Sequence, residues 1–217
     1  GIERESRAIV AYLRAGDTLQ IRARFEPHEH DLAGTVFINE IDPGGKKTGD
    51  WLELYNASNK PIPLLGWRLS DQRHNWVFPA VTIPPKGYLV VCQDTAAFRR
   101  KFPQTPLLTG DFRFGLNKNA ERLALNAADG SAVDSVAYLI DPPEGGFTFD
   151  LLMPDLDNSD PQNWAIHLGP GSPGGPNPLY WSKILAEEKD RSLRLGLGIG
   201  LLILVLGLIW LRQNRRL

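Results

Sequence analysis

The chain of 217 residues contains one cysteine, Cys92. An intramolecular disulfide and a multi-cysteine metal site are therefore both excluded. No acidic residue occurs after Asp190. The sequence has no G-x-S-x-G elbow and no phosphate-binding loop, and so lacks the local signatures of α/β-hydrolase and P-loop nucleotide chemistry. With 42% hydrophobic and 23% charged residues, it is neither a disordered chain nor a collagen. Its length suits one domain with appendages and is enough to bury a core without staples.

The net charge of -1 conceals an asymmetry. Residues 1–190 carry 19 basic and 25 acidic side chains, a net of -6, whereas the last 27 carry five arginines and no acid. An acidic body argues against nucleic acid as a partner, because such binding needs a basic face to displace counterions. The arginines flank an apolar run, Leu195 to Leu211, of 17 residues without a charge. Counted from Ser192, with Arg194 snorkelling, the run reaches 20 residues and roughly 30 Å as a helix, one hydrocarbon thickness. Trp210 stands at one end, where an indole straddles the bilayer interface. Gly196 and Gly200 form G-x-x-x-G, and Gly207 lies two turns on. Small residues at that spacing let a second helix approach closely in lipid.

Between Thr35 and Asn177 the pattern is of short alternating or apolar runs broken by turn residues. Strands are expected at Thr35–Ile41, Trp51–Asn56, Trp67–Ser70, Trp76–Phe78, Tyr88–Cys92, Arg122–Asn126 and Ala132–Tyr138. Asp129-Gly130 between the last two is a hairpin signal. One helix is expected at Thr95–Phe102, capped by Asp94. About seven short strands with frequent turns read as a β-sandwich.

Several of these runs resemble the lamin tail domain. The opening marks are Phe37-Ile38-Asn39-Glu40-Ile41, Asp50-Trp51-Leu52-Glu53-Leu54-Tyr55-Asn56 and Leu64-Leu65-Gly66-Trp67-Arg68-Leu69-Ser70. The later ones are Ile83-Pro84-Pro85-Lys86-Gly87-Tyr88-Leu89-Val90-Val91, Val133-Asp134-Ser135, Trp164 and Ser172-Pro173-Gly174-Gly175-Pro176-Asn177. The resemblance spans about residues 35–177. It implies a mainly β, immunoglobulin-like β-sandwich without established catalytic residues. Its bacterial members often occur on exported or membrane-attached proteins, beside hydrolases or nucleases. No coiled-coil rod precedes the domain here, so a filament role has no support.

Several constellations have chemical potential, and each also has a plainer reading. Glu40 and Glu53 have the makings of a carboxylate pair for glycoside hydrolysis, but two strand carboxylates held by backbone donors at a sheet edge is the better account. Asp155, Asp157, Asn158 and Asp160 cluster oxygens as calcium requires. They lack the turn glycine and the closing glutamate of an EF-hand, so a solvated loop is expected. His28 and His30, with Glu29 and Asp31, lack the further ligands that structural zinc needs. Cys92, within Tyr-Leu-Val-Val-Cys, reads as inert packing. Trp67 and Trp76 are candidate exposed contact anchors, since tryptophan is common at interface hot spots.

The organisation expected is an N-terminal extension (1–33), a sandwich (34–178), a juxtamembrane helix (179–191), a single C-terminal transmembrane helix (192–212) and a basic tail (213–217). The start at Gly1 suits a processed N-terminus. The body is expected outside the cytoplasm and the tail inside. The expected role is a non-catalytic, membrane-anchored binding module without cofactor or metal, an accessory subunit of a respiratory, photosynthetic or transport assembly. Its expected partners are the bilayer, integral membrane proteins contacting Gly196, Gly200, Gly207 and Trp210, and proteins contacting the sandwich at Trp67 and Trp76. A carbohydrate- or polymer-binding module at the cell surface, and the anchor of an exported hydrolase, are the alternatives.

Overall fold

The computed structural model describes residues 30–197 except 46, 47, 155, 179 and 183. The strands are β1 (Val36–Asp42), β2 (Trp51–Asn56), β3 (Ile62–Pro63), β4 (Arg68–Ser70), β5 (Asn75–Val77), β6 (Thr82–Ile83), β7 (Tyr88–Cys92), β8 (Leu108–Gly110), β9 (Ala120–Asn126), β10 (Ala132–Leu139), β11 (Phe147–Leu151) and β12 (Trp164–Leu168). A six-stranded sheet in the order β12-β11-β1-β2-β7-β8 faces a four-stranded sheet in the order β10-β9-β4-β5, with β3 and β6 as a separate pair. The described chain is mainly β, with the layers of an immunoglobulin-like sandwich.

Strand periodicity explains the core. In β2, Leu52 and Leu54 point one way, and Trp51, Glu53 and Tyr55 the other. The two leucines join Ile38, Leu89, Val91, Phe149 and Leu151 against Leu69, Leu123, Leu125 and Val136 of the smaller sheet. Each such side chain, fully buried, contributes roughly 1.5–3 kcal/mol. All six residues of β2 are buried, so the outer face of the larger sheet is covered as well.

One end of that outer face lies under helix α1 (Thr95–Lys101). Phe98 packs there with Trp51, Val90 and Cys92 in a second apolar cluster. Asp94 caps α1, its carboxylate accepting from the Ala97 N–H at 2.7 Å. Arg99, Arg100 and Lys101 close the last turn, where cations complement the helix dipole. The other end is covered by residues 169–177, which lead to helical residues at 178, 180–182 and 184–197.

The strands predicted at Trp51–Asn56 and Tyr88–Cys92 form with those bounds, and the remaining five form within two residues of theirs at either end. The hairpin at Asp129-Gly130 also forms, with Gly130 at φ 88°. Strands β3, β6, β8, β11 and β12 are additional to the seven expected from sequence. Among the described residues no helix is long and apolar enough to cross a membrane. Residues 1–29, most of the apolar run, Gly200, Gly207, Trp210 and the basic tail lie outside the described residues.

Candidate functional site

The most unusual chemistry lies beneath residues 169–177. Glu40 and Glu53 are both fully buried and face each other in register on β1 and β2. These are interior strands of the larger sheet, which corrects the expectation of a sheet edge. Their donors are divided between backbone and side chains. The Ser172 N–H donates to Glu40 at 2.9 Å and the Ser172 hydroxyl at 3.1 Å. The Gly174 N–H donates to Glu53, whose other oxygen accepts from Asn39 Nδ2 at 3.0 Å. Asp150, 4% exposed, stands opposite Glu40 across the β1–β11 register.

The segment 169–177 thus lies as a strap across three buried carboxylates. Its composition allows this. At Gly171 (φ 78°) a Cβ would stand 2.3 Å from Glu40 Oε1 and 2.9 Å from Trp51 Cζ2, so only glycine brings the backbone so close. Asn177 closes the strap. Its Nδ2 donates to the carbonyls of Asn39 at 2.9 Å and Leu151 at 2.7 Å, and its Oδ1 accepts from Asn39 Nδ2 at 3.1 Å.

The electrostatics follow from burial. Glu40 is pushed up to about 8, first by desolvation and then by the charge of Asp150. Desolvation and the neighbouring Glu40 raise Glu53 well above the usual carboxylate range, and Asp150 is raised by burial. Among the described residues no lysine or arginine pairs with the cluster. The nearest basic side chain to it is His167, whose Nδ1 lies 3.8 Å from Asp150. Thr148 Oγ1, Asp150 Oδ1 and His167 Nδ1 are buried without a hydrogen-bond partner. Uncompensated charges at this depth are costly, so such a cluster keeps protons.

The acidic loop has a structural role. Asn158 is 6% exposed and turns inward, donating through Nδ2 to Asp134 Oδ2 at 2.7 Å. The same oxygen accepts from the Ile38 N–H at 2.7 Å, next to an irregularity in β1 between Ile38 and Glu40. Asp157 accepts from Ser159, and Asp160 caps a short 3-10 turn at Pro161–Asn163. Asp157 and Asp160 are exposed and accept from donors of their own chain, Asn158 is buried, and Asp155 lies outside the described residues. Asn158→Ala is expected to cost about 1–3 kcal/mol in urea unfolding, and added calcium is expected to leave the wild-type midpoint unchanged.

Trp67 is 5% exposed and belongs to the core, which corrects its reading as a surface anchor, because the sandwich uses it as an inward-facing aromatic. Trp76 is half-buried, edge-to-face on Phe78 at 4.7 Å. His30 Nδ1 accepts from the Leu32 N–H at 3.1 Å, and His28 lies outside the described residues. Among the described residues no acidic, histidine or cysteine side chains gather as metal ligands. Cys92 is fully buried and its thiol is pushed up to about 12 by desolvation, which suits inert packing. Gly196 is helical and exposed, with nothing within 4 Å of a Cβ placed there.

A family model, Lamin Tail Domain, matches residues 31–139, half of the chain. The match includes Glu40 and Glu53 and ends before β11, β12 and the strap. No curated protein matches the chain.

Proposed function

Because the chain belongs to the lamin tail domain family, we propose that it performs no chemistry of its own and serves as a binding module tethered to a membrane, an accessory subunit of a larger membrane assembly. The observation that carries this reading is the path of the chain. The strap leaves the sheet at Asn177 and leads to helical residues 184–197, whose sequence continues into the uncharged run ending at Leu211. Trp181 and Leu185, one helical turn apart, are 50% and 48% exposed and offer an apolar contact beside the head. Within the run, Gly196, Gly200 and Gly207 supply a face for a neighbouring span, and Trp210 an interfacial anchor. The body is assigned to the outside of the cytoplasm.

The test is fractionation followed by mild-detergent purification. The full chain is expected to stay in the membrane pellet through an alkaline carbonate wash, and a chain ending at Asp190 to become soluble. Gly196→Leu/Gly200→Leu is expected to remain in the pellet but lose co-purifying membrane proteins. Recovery of the full chain in the wash would overturn the tether. Purification of the wild type without any partner would overturn the assembly.

A further inference from the structure

The strap differs from an ordinary linker in what it covers. Three carboxylates from three adjacent strands, Glu53, Glu40 and Asp150, share one pocket beneath it. The strap closes the pocket with the N–H of Ser172 and Gly174 and the Ser172 hydroxyl. The groups facing the pocket are Asn39 from β1, Tyr88 from β7, Thr148 from β11, His167 from β12 and Asn177 from the strap. His167 alone among them can carry positive charge, and it touches only the Asp150 side. Three negative charges with that single partner are not sustained in a dry pocket.

We propose that the strap is a proton-locked latch, which lies flat on the sheet while the Glu40–Glu53–Asp150 pocket holds a proton and lifts, loosening the following helix from the head, when that proton leaves. The reason is linkage. Lifting the strap admits water, and a solvated carboxyl releases the proton that the closed pocket keeps. The opening equilibrium therefore rises with pH, about tenfold per pH unit for each proton released, until the closed pocket itself ionises. The core strands, bonded in their own ladders, open separately. This inference is independent of the membrane reading, since it concerns only the sandwich and the strap.

Hydrogen exchange on the full chain in mild detergent tests it. After correction for intrinsic rates, protection of the Ser172 and Gly174 amides is expected to fall about 100-fold between pH 6 and pH 8 if one proton is released. The Leu52 and Leu54 amides of β2 should hold theirs. Glu40→Gln, which mimics the protonated acid, should remove one proton from the slope and so leave strap protection nearly independent of pH over this range. Infrared spectroscopy of the wild type supplies a measurement that needs no variant. A protonated carboxylic-acid carbonyl band is expected at pH 7 and should fade as the pH passes 8. Strap protection that does not vary with pH, a slope unchanged in a folded Glu40→Gln chain, or absence of the acid band would each overturn the latch.

Discussion

Replacing Trp51 by alanine is expected to lower the unfolding free energy by about 3–5 kcal/mol. The indole is fully buried on the outer face of the larger sheet. Phe98 and Phe102 meet it edge-on, at 5.6 and 6.3 Å between ring centres, and Gly171 crosses above it. Nε1 donates to Asp42 Oδ2 at 2.9 Å, and Asp42 is only 6% exposed. Truncation therefore opens a cavity beneath α1 and deprives a buried carboxylate of a donor, two separate costs. Trp51→Phe keeps most of the volume and loses only the donor, so about 1–2 kcal/mol is expected. Guanidinium unfolding of the full chain in detergent measures both. A loss under about 1 kcal/mol for Trp51→Ala would mean that α1 and the strap do not depend on this residue.

Acidification from pH 8 to pH 5 is expected to stabilise the protein, against the common tendency of domains to weaken in acid. Glu40 ionises near 4.5 when unfolded and near 8 when folded. Between those values the folded state keeps a proton that the unfolded chain has released, so rising pH favours unfolding. The stabilisation is complete below about pH 4.5 and is lost as the pH rises through 8. At about 1.4 kcal/mol per pH unit, Glu40 alone supplies on the order of 5 kcal/mol across that whole range. Asp134, raised by burial from 3.8 to about 6, adds to the same trend at lower pH. Asp71 is shifted the other way, its lowered value reflecting the bonds it accepts from His74 and Arg73, so its contribution is lost below about pH 4. Denaturant midpoints across pH 4–9 provide the check. A midpoint that climbs steadily from pH 5 to pH 8 would show that the pocket carries no proton.

Residues whose local pattern and final surroundings agree were legible from sequence. Strand β2 alternates, β7 is continuously apolar, and α1 has an aspartate at its cap, so each of these declared itself. Strand β11 was hidden because its alternate residues, Thr148 and Asp150, are polar yet buried. That face is covered by backbone and not by water, and a polar face next to glycine-rich sequence reads as loop. The strands β3, β6 and β8, of two or three residues, are too short to show a period. For the pocket, sequence identified Glu40 and Glu53 as strand carboxylates awaiting backbone donors, but the donors lie more than 120 residues away. The available signal was the near absence of side-chain bulk in Gly169-Pro170-Gly171-Ser172-Pro173-Gly174-Gly175-Pro176, a stretch able to lie flat on a sheet. The inward turn of Asn158 left no such trace, since its partner Asp134 belongs to a hairpin 24 residues earlier.

The position of Asn177 also has a mechanical consequence. Its side chain bridges the carbonyls of Asn39 on β1 and Leu151 on β11, one residue before the helical stretch begins. Tension applied along the stalk therefore enters the head between two inner strands, with β12 still outside them. Such a pull is shared at once by two neighbouring strands of the sheet's interior and does not fall on a strand at its rim.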